Sequence, residues 1–500
     1  MNQRPNILFI MSDDHAANAI SAYGSKINTT PNIDRLAKEG ARLDHCYVTN
    51  SICTPSRAAI LTGTHNHING VTTLVTEIDN RLPNVAKHLQ TSGYQTAIVG
   101  KWHLGEKPSS QPTGFDYWSV VPGQGRYHNP EFIEEDGMKV EEGYVTDITA
   151  DKCIDWLESR DEERPFFLMC HHKAPHRPWD PKKEHFDLYQ EDFPEPETFD
   201  DDYSNRAKAA TEAKMRISEN LSYRDLDLLN PDDPEEMNKE WSNNFLRIPE
   251  SLDGYTLTCA HTGEVFSFKT QAELKRFKYN RYIRKYVRCI HSIDENVGRL
   301  LDWLDEKGLA ENTLVVYTSD QGFYLGEHGW YDKRFIYEES FQMPFLIRYP
   351  KEISAGMVCK DMVCNVDFAP TFLDVAGVTI PNYMQGRSAR DVLQGNTPED
   401  WTDLAYHRYW MNNDSCHHAR AHYGIRTHQY KLIYWYYDDL GQPGAKPDDL
   451  EPEWELFDLE KDPLEVMNVY DQASYSEVLK EMKAKLDGEM LRIGDIPVHP

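Results

Sequence analysis

Short, nearly continuous apolar runs recur along the chain, and each ends in polar or ionisable residues. Runs of this kind are typical of strands that are buried on both faces, as in a parallel sheet. They cover residues 6–11, 94–99, 165–170 and 313–319, and a further segment at 41–50 precedes Cys53. Because ligands collect at the carboxyl ends of parallel strands, we expect a functional site where these runs stop.

Amphipathic segments, with apolar residues three, four or seven apart, alternate with the strand-like runs. We expect helices at 32–39, 82–92, 147–160 and, as the longest, at about 274–307. This β-α-β order predicts an α/β fold with a large mixed, mostly parallel sheet sandwiched by helices. Between about 180 and 270 the apolar periodicity fades but aromatic residues persist, which indicates an irregular, ordered excursion.

Beyond residue 377 the pattern changes to alternation of apolar and polar residues. Residues 423–427, 430–435 and 454–459 alternate as antiparallel strands do, and 478–491 reads as a closing helix. We therefore predict a catalytic domain over 1–377, which includes the excursion. A smaller C-terminal α/β subdomain with an antiparallel sheet is predicted over 378–500.

The amino-acid composition limits the classes of partner that this protein can bind. With 82 acidic and 53 basic residues the formal charge is -29, which argues against a nucleic-acid surface or a polybasic membrane patch. No run is long enough to span a bilayer and none resembles a signal peptide, so we expect a cytoplasmic protein, or a periplasmic or secreted one if a leader has been removed. Nine cysteines without pairing patterns favour a reducing compartment.

The segment 51–63 carries the most distinctive pattern. It reads Ser-Ile-Cys-Thr-Pro-Ser-Arg, continues through an apolar stretch and ends on Gly63. Proline in a helix's first turn and glycine just past its end mark helix termini, so Cys53 should open a helix. The free N–H groups at that end favour negative charge, which predicts a reactive thiol with Arg57 on the same face.

Other ionisable groups follow the predicted strands. Each alone is more often a turn, a helix cap or a surface side chain, but together at several strand ends they favour an active site. These residues are Asp13, Asp14, Lys101, His103, His176, Asp320, Gln321 and, after a glycine-containing loop, Lys333.

At 53–57 and 61–63 the chain resembles the formylglycine-dependent type I sulfatases, whose signature is Cys-x-Pro-Ser-Arg followed by Leu-Thr-Gly. The resemblance implies the alkaline-phosphatase-like fold of that superfamily and oxidation of Cys53 to formylglycine (3-oxoalanine) by a maturation enzyme. It also implies a calcium ion, or magnesium in its place, held by oxygen ligands as a hard cation requires. The family's metal positions match Asp13, Asp14, Cys53, Asp320 and Gln321, where many relatives carry Asn at the last of these.

The family's catalytic positions match Cys53, Arg57, Lys101, His103, His176 and Lys333. The implied mechanism begins with hydration of the residue 53 aldehyde, and one hydroxyl, activated by the metal and Arg57, attacks sulfur. Lys101, His176 and Lys333 would hold the sulfate oxygens, with His176 or Lys333 protonating the departing alcohol. His103 would help to deprotonate the second hydroxyl, which expels sulfate and regenerates the aldehyde.

Segments 112–118, 174–179 and 319–328 look like those of bacterial carbohydrate sulfatases, in particular the N-acetylglucosamine-6-sulfatase-like group. This resemblance implies a sulfated saccharide substrate, such as a glycosaminoglycan fragment. Candidates for sugar contacts are Arg177, Trp179, Tyr324, His328, Arg334, His422 and Arg426.

Two alternatives stay open at this point. A phosphonate or phosphate-diester hydrolase of the same superfamily could use the same centre, since metal plus formylglycine serves phosphorus as well as sulfur. A catalytically silent sugar-binding relative is the second, although intact Cys53, Lys101, His103 and Lys333 argue against it.

Overall fold

The computed structural model describes residues 4–239 and 242–499. Its centre is a ten-stranded sheet. In chain order the strands are β1 (Asn6–Ser12), β2 (Ala41–Leu43), β3 (Gln95–Lys101), β4 (Tyr117–Val121), β5 (Glu131–Glu134), β6 (Gly137–Val140), β7 (Phe166–His171), β8 (Thr313–Ser319), β9 (Phe345–Arg348) and β10 (Met357–Cys359).

Across the sheet the strand order is β10-β2-β9-β8-β1-β7-β3-β4-β5-β6. The central strands β8, β1, β7, β3 and β4 are parallel to one another, whereas β9 pairs antiparallel with β8 and β2, and β5 pairs antiparallel with β4 and β6. The sheet is thus mixed and mostly parallel, as predicted. Strands β1, β3, β7 and β8 coincide with the four predicted runs to within two residues.

Helices cover both faces of the sheet, which explains why the central strands are apolar throughout. In β1, Ile7 and Phe9 belong to one hydrophobic core and Leu8 and Ile10 to the other. The α-helices are α1 (Ile33–Glu39), α2 (Cys53–Thr62), α3 (Asn66–Asn69), α4 (Val85–Thr91), α5 (Val145–Ser159), α6 (Lys208–Glu212), α7 (Gln271–Glu306), α8 (Glu338–Phe341), α9 (Phe368–Val375), α10 (Arg390–Leu393) and α11 (Ser476–Ile493).

The predicted helices are confirmed to within three residues, and the two largest shifts in their starts have capping residues as their cause. Asn84 accepts a hydrogen bond from the backbone of Lys87 at 2.9 Å, so α4 starts later than predicted. Thr270 accepts one from Glu273 at 3.1 Å, so α7 starts earlier. Within residues 4–239 and 242–499, no helix is both long enough and apolar enough to cross a membrane.

The segment 41–50 is not one strand, and the prediction that Cys53 follows a strand end of the main sheet is wrong. Residues Cys46–Tyr47 leave the sheet after β2 and pair with Val363–Cys364 in a separate two-stranded ladder. Helix α2 therefore carries Cys53 and Arg57, and Lys333 follows a separate two-stranded hairpin. The other predicted groups lie at or after the ends of strands of the main sheet.

The excursion predicted at about 180–270 is ordered in its described residues. It contains α6 and a hairpin of Thr256–Thr258 with Val265–Ser267. Leu221, Leu226 and Leu246 of this segment are buried in the same core as α7. The excursion thus packs on the long helix.

A second sheet forms near the carboxyl terminus from β11 (Ala405–Tyr409), β12 (His422–Arg426), β13 (Tyr430–Trp435) and β14 (Glu453–Asp458). All its neighbouring strands are antiparallel, as the alternation predicts. Helix α11 packs on this sheet through Met482 and Leu486. The boundary at residue 377 stays a prediction.

Candidate active site

Helix α2 begins at Cys53, which places the thiol at the helix N-terminus as predicted. Gly63 ends the helix with φ of 68°, a left-handed conformation that costs glycine little. The Ser56 hydroxyl donates to the Asp320 carbonyl and accepts from Asn365 Nδ2 at 3.1 Å. These bonds hold the first turn of α2 against the residues that follow β8.

Three buried carboxylates lie beside the thiol. Asp13 and Asp14 follow β1 and Asp320 follows β8, and these two strands are parallel neighbours in register. Cys53 Sγ lies 3.3 Å from Asp13 Oδ1, and the Asp14 N–H donates to Asp320 Oδ1 at 3.2 Å. None of the three carboxylates is exposed. The parallel register therefore concentrates negative charge at one edge of the sheet.

Each carboxylate is paired with its own buried cation. The pairs are Lys101 with Asp13, Lys333 with Asp14, and Arg57 with Asp320. Lys333 Nζ lies 2.5 and 2.6 Å from the two Asp14 oxygens, and Arg57 Nη2 lies 2.9 Å from Asp320 Oδ2. When all six groups are ionised, as a bound cation would favour for Asp14, their charges cancel, so the site does not share the negative charge of the whole chain. A divalent cation would make it positive, as an anionic ester requires.

Two histidines complete the cluster. His103 Nδ1 lies 3.3 Å from the hydroxyl of Thr54, the residue after Cys53. His176 Nδ1 lies 2.5 Å from the Arg177 carbonyl, and its Nε2 lies 3.7 Å from Asp14 Oδ2. Since a carbonyl oxygen only accepts, Nδ1 of His176 carries a proton and Nε2 is the atom that faces the carboxylates.

The expectation of a reactive thiol is wrong for the unmodified residue. Burial first, and then the neighbouring Asp13 carboxylate, raise the pKa of Cys53 well above its usual value. Lys101 and Lys333 oppose this effect without overcoming it. Desolvation thus outweighs the helix N-terminus, and the neutral thiol is the stable form.

The residues present fit a hard divalent cation. Ligand atoms of Asp13, Asp14, Cys53 and His176 all lie within 4.8 Å of one another. Gln321 is fully buried, its Nε2 faces Asp14, and its Oε1 has no hydrogen-bond partner. An amide rotation would aim that orphaned oxygen at the carboxylates. Burial, with the repulsion of Asp13 and Asp320, raises the pKa of Asp14 to about 8, a repulsion that a bound cation would offset.

The cluster includes two further residues that were not predicted from the sequence. Gln124 Oε1 accepts a hydrogen bond from Lys101 Nζ, and Lys173 Nζ lies 4.6 Å from the centre of the Tyr127 ring. Burial and the nearby Lys101 lower the pKa of Lys173 to about 8. Both residues follow strand ends, β4 and β7, so the signal that identified the other groups could have found them.

Four of the predicted sugar contacts have side chains that are enclosed by protein groups, and their contact with a sugar stays a prediction. Trp179 packs on Tyr282, Tyr286 and Phe323, and Tyr324 packs on Trp330. None of the four, namely Trp179, Tyr324, His328 and His422, has exposed surface.

The two histidines of this group each have a ring nitrogen in contact with a protein group. His328 lies between Asp201 and Glu339. His422 accepts from the Ile336 N–H at 3.1 Å and contacts the Arg420 carbonyl with its other nitrogen. Both therefore serve the packing of the second sheet and its neighbours.

The three predicted arginine contacts are buried in interactions within the protein. Arg177 pairs with Asp225, Arg426 pairs with Glu338, and Arg334 lies 3.3 Å from Asp332. Their contact with a sugar stays a prediction.

Known proteins share this arrangement. The family model described as Sulfatase matches residues 5–378, and that described as N-sulphoglucosamine sulphohydrolase, C-terminal, matches residues 326–491. An N-acetylglucosamine-6-O-sulfatase of Bacteroides thetaiotaomicron is 44% identical over 501 residues, covering 97% of this chain and 86% of the relative. The solved structure of BT4656 in complex with its substrate D-glucosamine-2-N,6-O-disulfate has a TM-score of 0.88 at 42% identity and covers 98% of both chains.

A phosphonate monoester hydrolase of Agrobacterium radiobacter has a TM-score of 0.70 at 20% identity, covering 98% of this chain and 96% of its own, which shows a common fold alone. The Sulfatase match covers three quarters of the chain and includes the thiol, the carboxylates and the cations described above. Membership implies formylglycine and a divalent metal, and the side chains at residue 53 fit both. The chain belongs to the sulfatase family and is a sulfuric ester hydrolase.

Proposed function

We propose that this enzyme removes the 6-O-sulfate from N-acetylated or N-sulfated glucosamine in saccharides derived from glycosaminoglycans. The observation that carries the proposal is 44% identity to an N-acetylglucosamine-6-O-sulfatase along 97% of the chain. The substrate described for BT4656, which carries N- and 6-O-sulfate on glucosamine, supports the same sugar.

Lys101 and Lys333 are placed to hold the sulfate group. Both ammonium groups lie within the carboxylate cluster next to residue 53, and both side chains are almost completely buried. A cation in such a water-poor site stabilises developing negative charge more strongly than one in solvent. A metal bound to the carboxylates would free each ammonium to turn toward the sulfate oxygens.

His176 is the better placed of the two candidates for protonating the departing alcohol. Its Nδ1 is held by the Arg177 carbonyl, so Nε2 is the position that gains or gives a proton on the side of the site. Lys333 makes two short contacts with Asp14, and that carboxylate raises its pKa despite burial. We assign the proton to the imidazolium form of His176, which a bound sulfate would stabilise although burial lowers the pKa of this histidine in the free site, and the fixed charge to Lys333.

Formylglycine at residue 53 would supply the hydrated aldehyde as nucleophile, and a divalent cation would lower the charge cost of that attack. We propose calcium, held by Asp13, Asp14, Asp320 and Gln321, because this donor set is all oxygen and rich in carboxylates. His103, beside Thr54, is placed to take a proton from the residue 53 side chain. A maturation enzyme that recognises the 53–57 segment would have to produce formylglycine.

Sulfate release from a panel of saccharides tests the proposed substrate. We expect turnover of N-acetylglucosamine 6-sulfate and N-sulfoglucosamine 6-sulfate, with the 6-O-sulfate lost and the N-sulfate retained. Matched compounds with sulfate on O3 or O4, and a phosphate diester, should react at least about 100-fold more slowly by kcat/KM, a difference of about 2.7 kcal/mol in transition-state binding. Faster cleavage of the diester, or of an O3 or O4 sulfate, would contradict the proposal.

Metal removal tests the cation. Dialysis against a chelator selective for calcium should abolish most sulfate release, because the three buried carboxylates would then bind their lysines and arginine alone. Calcium added back should restore activity, and magnesium should restore less, since it keeps its waters and prefers fewer protein ligands. Activity that survives complete removal of divalent metal, checked by elemental analysis, is the contrary outcome.

A further inference from the structure

We propose that His185, His291 and Glu295 form a second metal site, which binds a divalent transition metal of the zinc type. Their ligand atoms all lie within 4.8 Å of one another. His185 belongs to the excursion, in the short 3-10 turn Lys183–His185, and the other two lie on α7. The site shares no residue with the carboxylate cluster at residue 53.

Helical geometry places two of the ligands on one face. His291 and Glu295 are four residues apart on α7, so their side chains lie one above the other. His185 Nε2 lies 3.4 Å from Glu295 Oε1, and His291 Nε2 lies 3.7 Å from the same oxygen. In a tetrahedral zinc site, ligand bonds of about 2.0–2.2 Å put neighbouring ligand atoms about 3.3–3.6 Å apart. The His185–Glu295 separation therefore lies within this range, and the His291–Glu295 separation exceeds it by about 0.1 Å.

The groups behind the ligands are arranged as metal sites require. The Nδ1 atom of His185 lies 3.2 Å from the Ser292 hydroxyl, and that of His291 lies 3.3 Å from the Tyr189 hydroxyl. These contacts can fix each ring with Nε2 toward the shared carboxylate. The imidazole planes are 81° apart with centroids at 4.7 Å, so the two rings approach from different directions.

The ammonium group of Lys182 contacts the second oxygen of the Glu295 carboxylate. Lys182 Nζ lies 3.3 Å from Glu295 Oε2 and 2.7 Å from Asp147 Oδ1. This ammonium leaves Oε1 to the two imidazoles and orients the carboxylate. Two neutral imidazoles and one carboxylate are donors that suit zinc, cobalt or nickel better than calcium.

His185 and Glu295 also line a cavity of about 1070 Å³ between the excursion and the segment 128–147, with Glu295 as its contact from α7. With three protein ligands, a bound ion keeps a fourth position for water or another small donor. The ion would tie the 183–185 turn to α7 and so fix one wall of this cavity. The bound ion would thus have a structural role and would keep one coordination position open.

Zinc binding to the full-length, calcium-saturated enzyme tests the proposal, because calcium keeps the residue 53 centre filled. Equilibrium dialysis with Zn²⁺ followed by elemental analysis should find one zinc per chain. His291→Ala and Glu295→Gln should each weaken binding at least about 100-fold, whereas His128→Ala, a histidine of the same cavity that pairs with Asp180, should not. Thermal unfolding without zinc should be alike in all variants, since His291 and Glu295 are partly exposed.

Cobalt provides a second readout, because its visible absorption reports the coordination geometry of the bound ion. Co²⁺ in the wild-type protein, and equally in Cys53→Ala, should give the strong visible absorption of a four-coordinate site, and His291→Ala should lack it. The proposal is overturned if the calcium-saturated wild type takes up no zinc, or if His291→Ala and Glu295→Gln bind zinc as the wild type does.

Discussion

Replacing Cys53 with alanine is expected to reduce sulfate release by roughly 10⁴- to 10⁶-fold, as loss of a nucleophile does in other hydrolases. Alanine offers no aldehyde and no attacking oxygen, while Lys101, His176 and Lys333 keep their places around the sulfate. Saccharide binding, measured by calorimetry, should therefore stay within several-fold of the wild-type value. The Cys53→Ala variant should therefore lose the rate of sulfate release while it keeps its affinity for the saccharide.

The matched control is Cys153→Ala, a buried cysteine of α5 that is remote from the carboxylate cluster in sequence and contacts. It should keep full kcat at some cost in stability. In the wild type, mass spectrometry of the tryptic peptide 43–57 should show formylglycine at residue 53, with oxygen in place of sulfur and two hydrogens fewer than cysteine. That peptide also carries Cys46, so fragment ions have to locate the change. Unmodified Cys53 in an active preparation, or a Cys53→Ala variant with near wild-type kcat, would sink the mechanism.

Lys333→Ala is expected to lower kcat/KM by roughly 10²- to 10⁴-fold, the range for removing a charged group that stabilises the transition state. Lys333 contacts both oxygens of Asp14 and holds a positive charge in the site with almost no exposure to solvent. Its removal leaves Asp14 without its nearest cation. The metal-free variant should therefore also lose about 3–5 kcal/mol of stability, as when one partner of a buried ion pair is removed.

Lys278→Met separates these two effects. Lys278 is as buried as Lys333, but its Nζ donates to the carbonyls of Ser218 and Leu246 in the packing between α7 and the excursion. This variant should lose stability and keep kcat/KM. Comparable losses of kcat/KM in the two variants would show that burial, and not the position of the charge, accounts for the effect of Lys333.

The local charge balance resolves an apparent conflict in this protein. A chain with a formal charge of -29 should repel an anionic ester. Three carboxylates are matched by three cations at residue 53, all screened from solvent. Distant surface carboxylates act through water and salt and are largely screened there. The charge that the substrate meets is thus set by the buried pairs and the metal.

Local sequence patterns were enough to predict the central strands of the sheet and most of the groups at its edge. Continuous apolar runs predicted β1, β3, β7 and β8 because strands covered by helices on both faces cannot carry polar side chains. Pro55 and Gly63 predicted the ends of α2, because proline favours the first turn of a helix and glycine favours the position just past its end. Both signals are local, and neither depends on where distant segments lie.

How those groups act depends on contacts between segments that are far apart in the chain. It pairs Lys333 with Asp14 across more than 300 residues, and it buries Cys53 so that desolvation raises the pKa of its thiol. It encloses Trp179 in aromatic packing although its neighbour His176 faces the site. It also brings His185 to His291. Desolvation and long-range contact depend on the packing of whole layers, and no local pattern of residues records them.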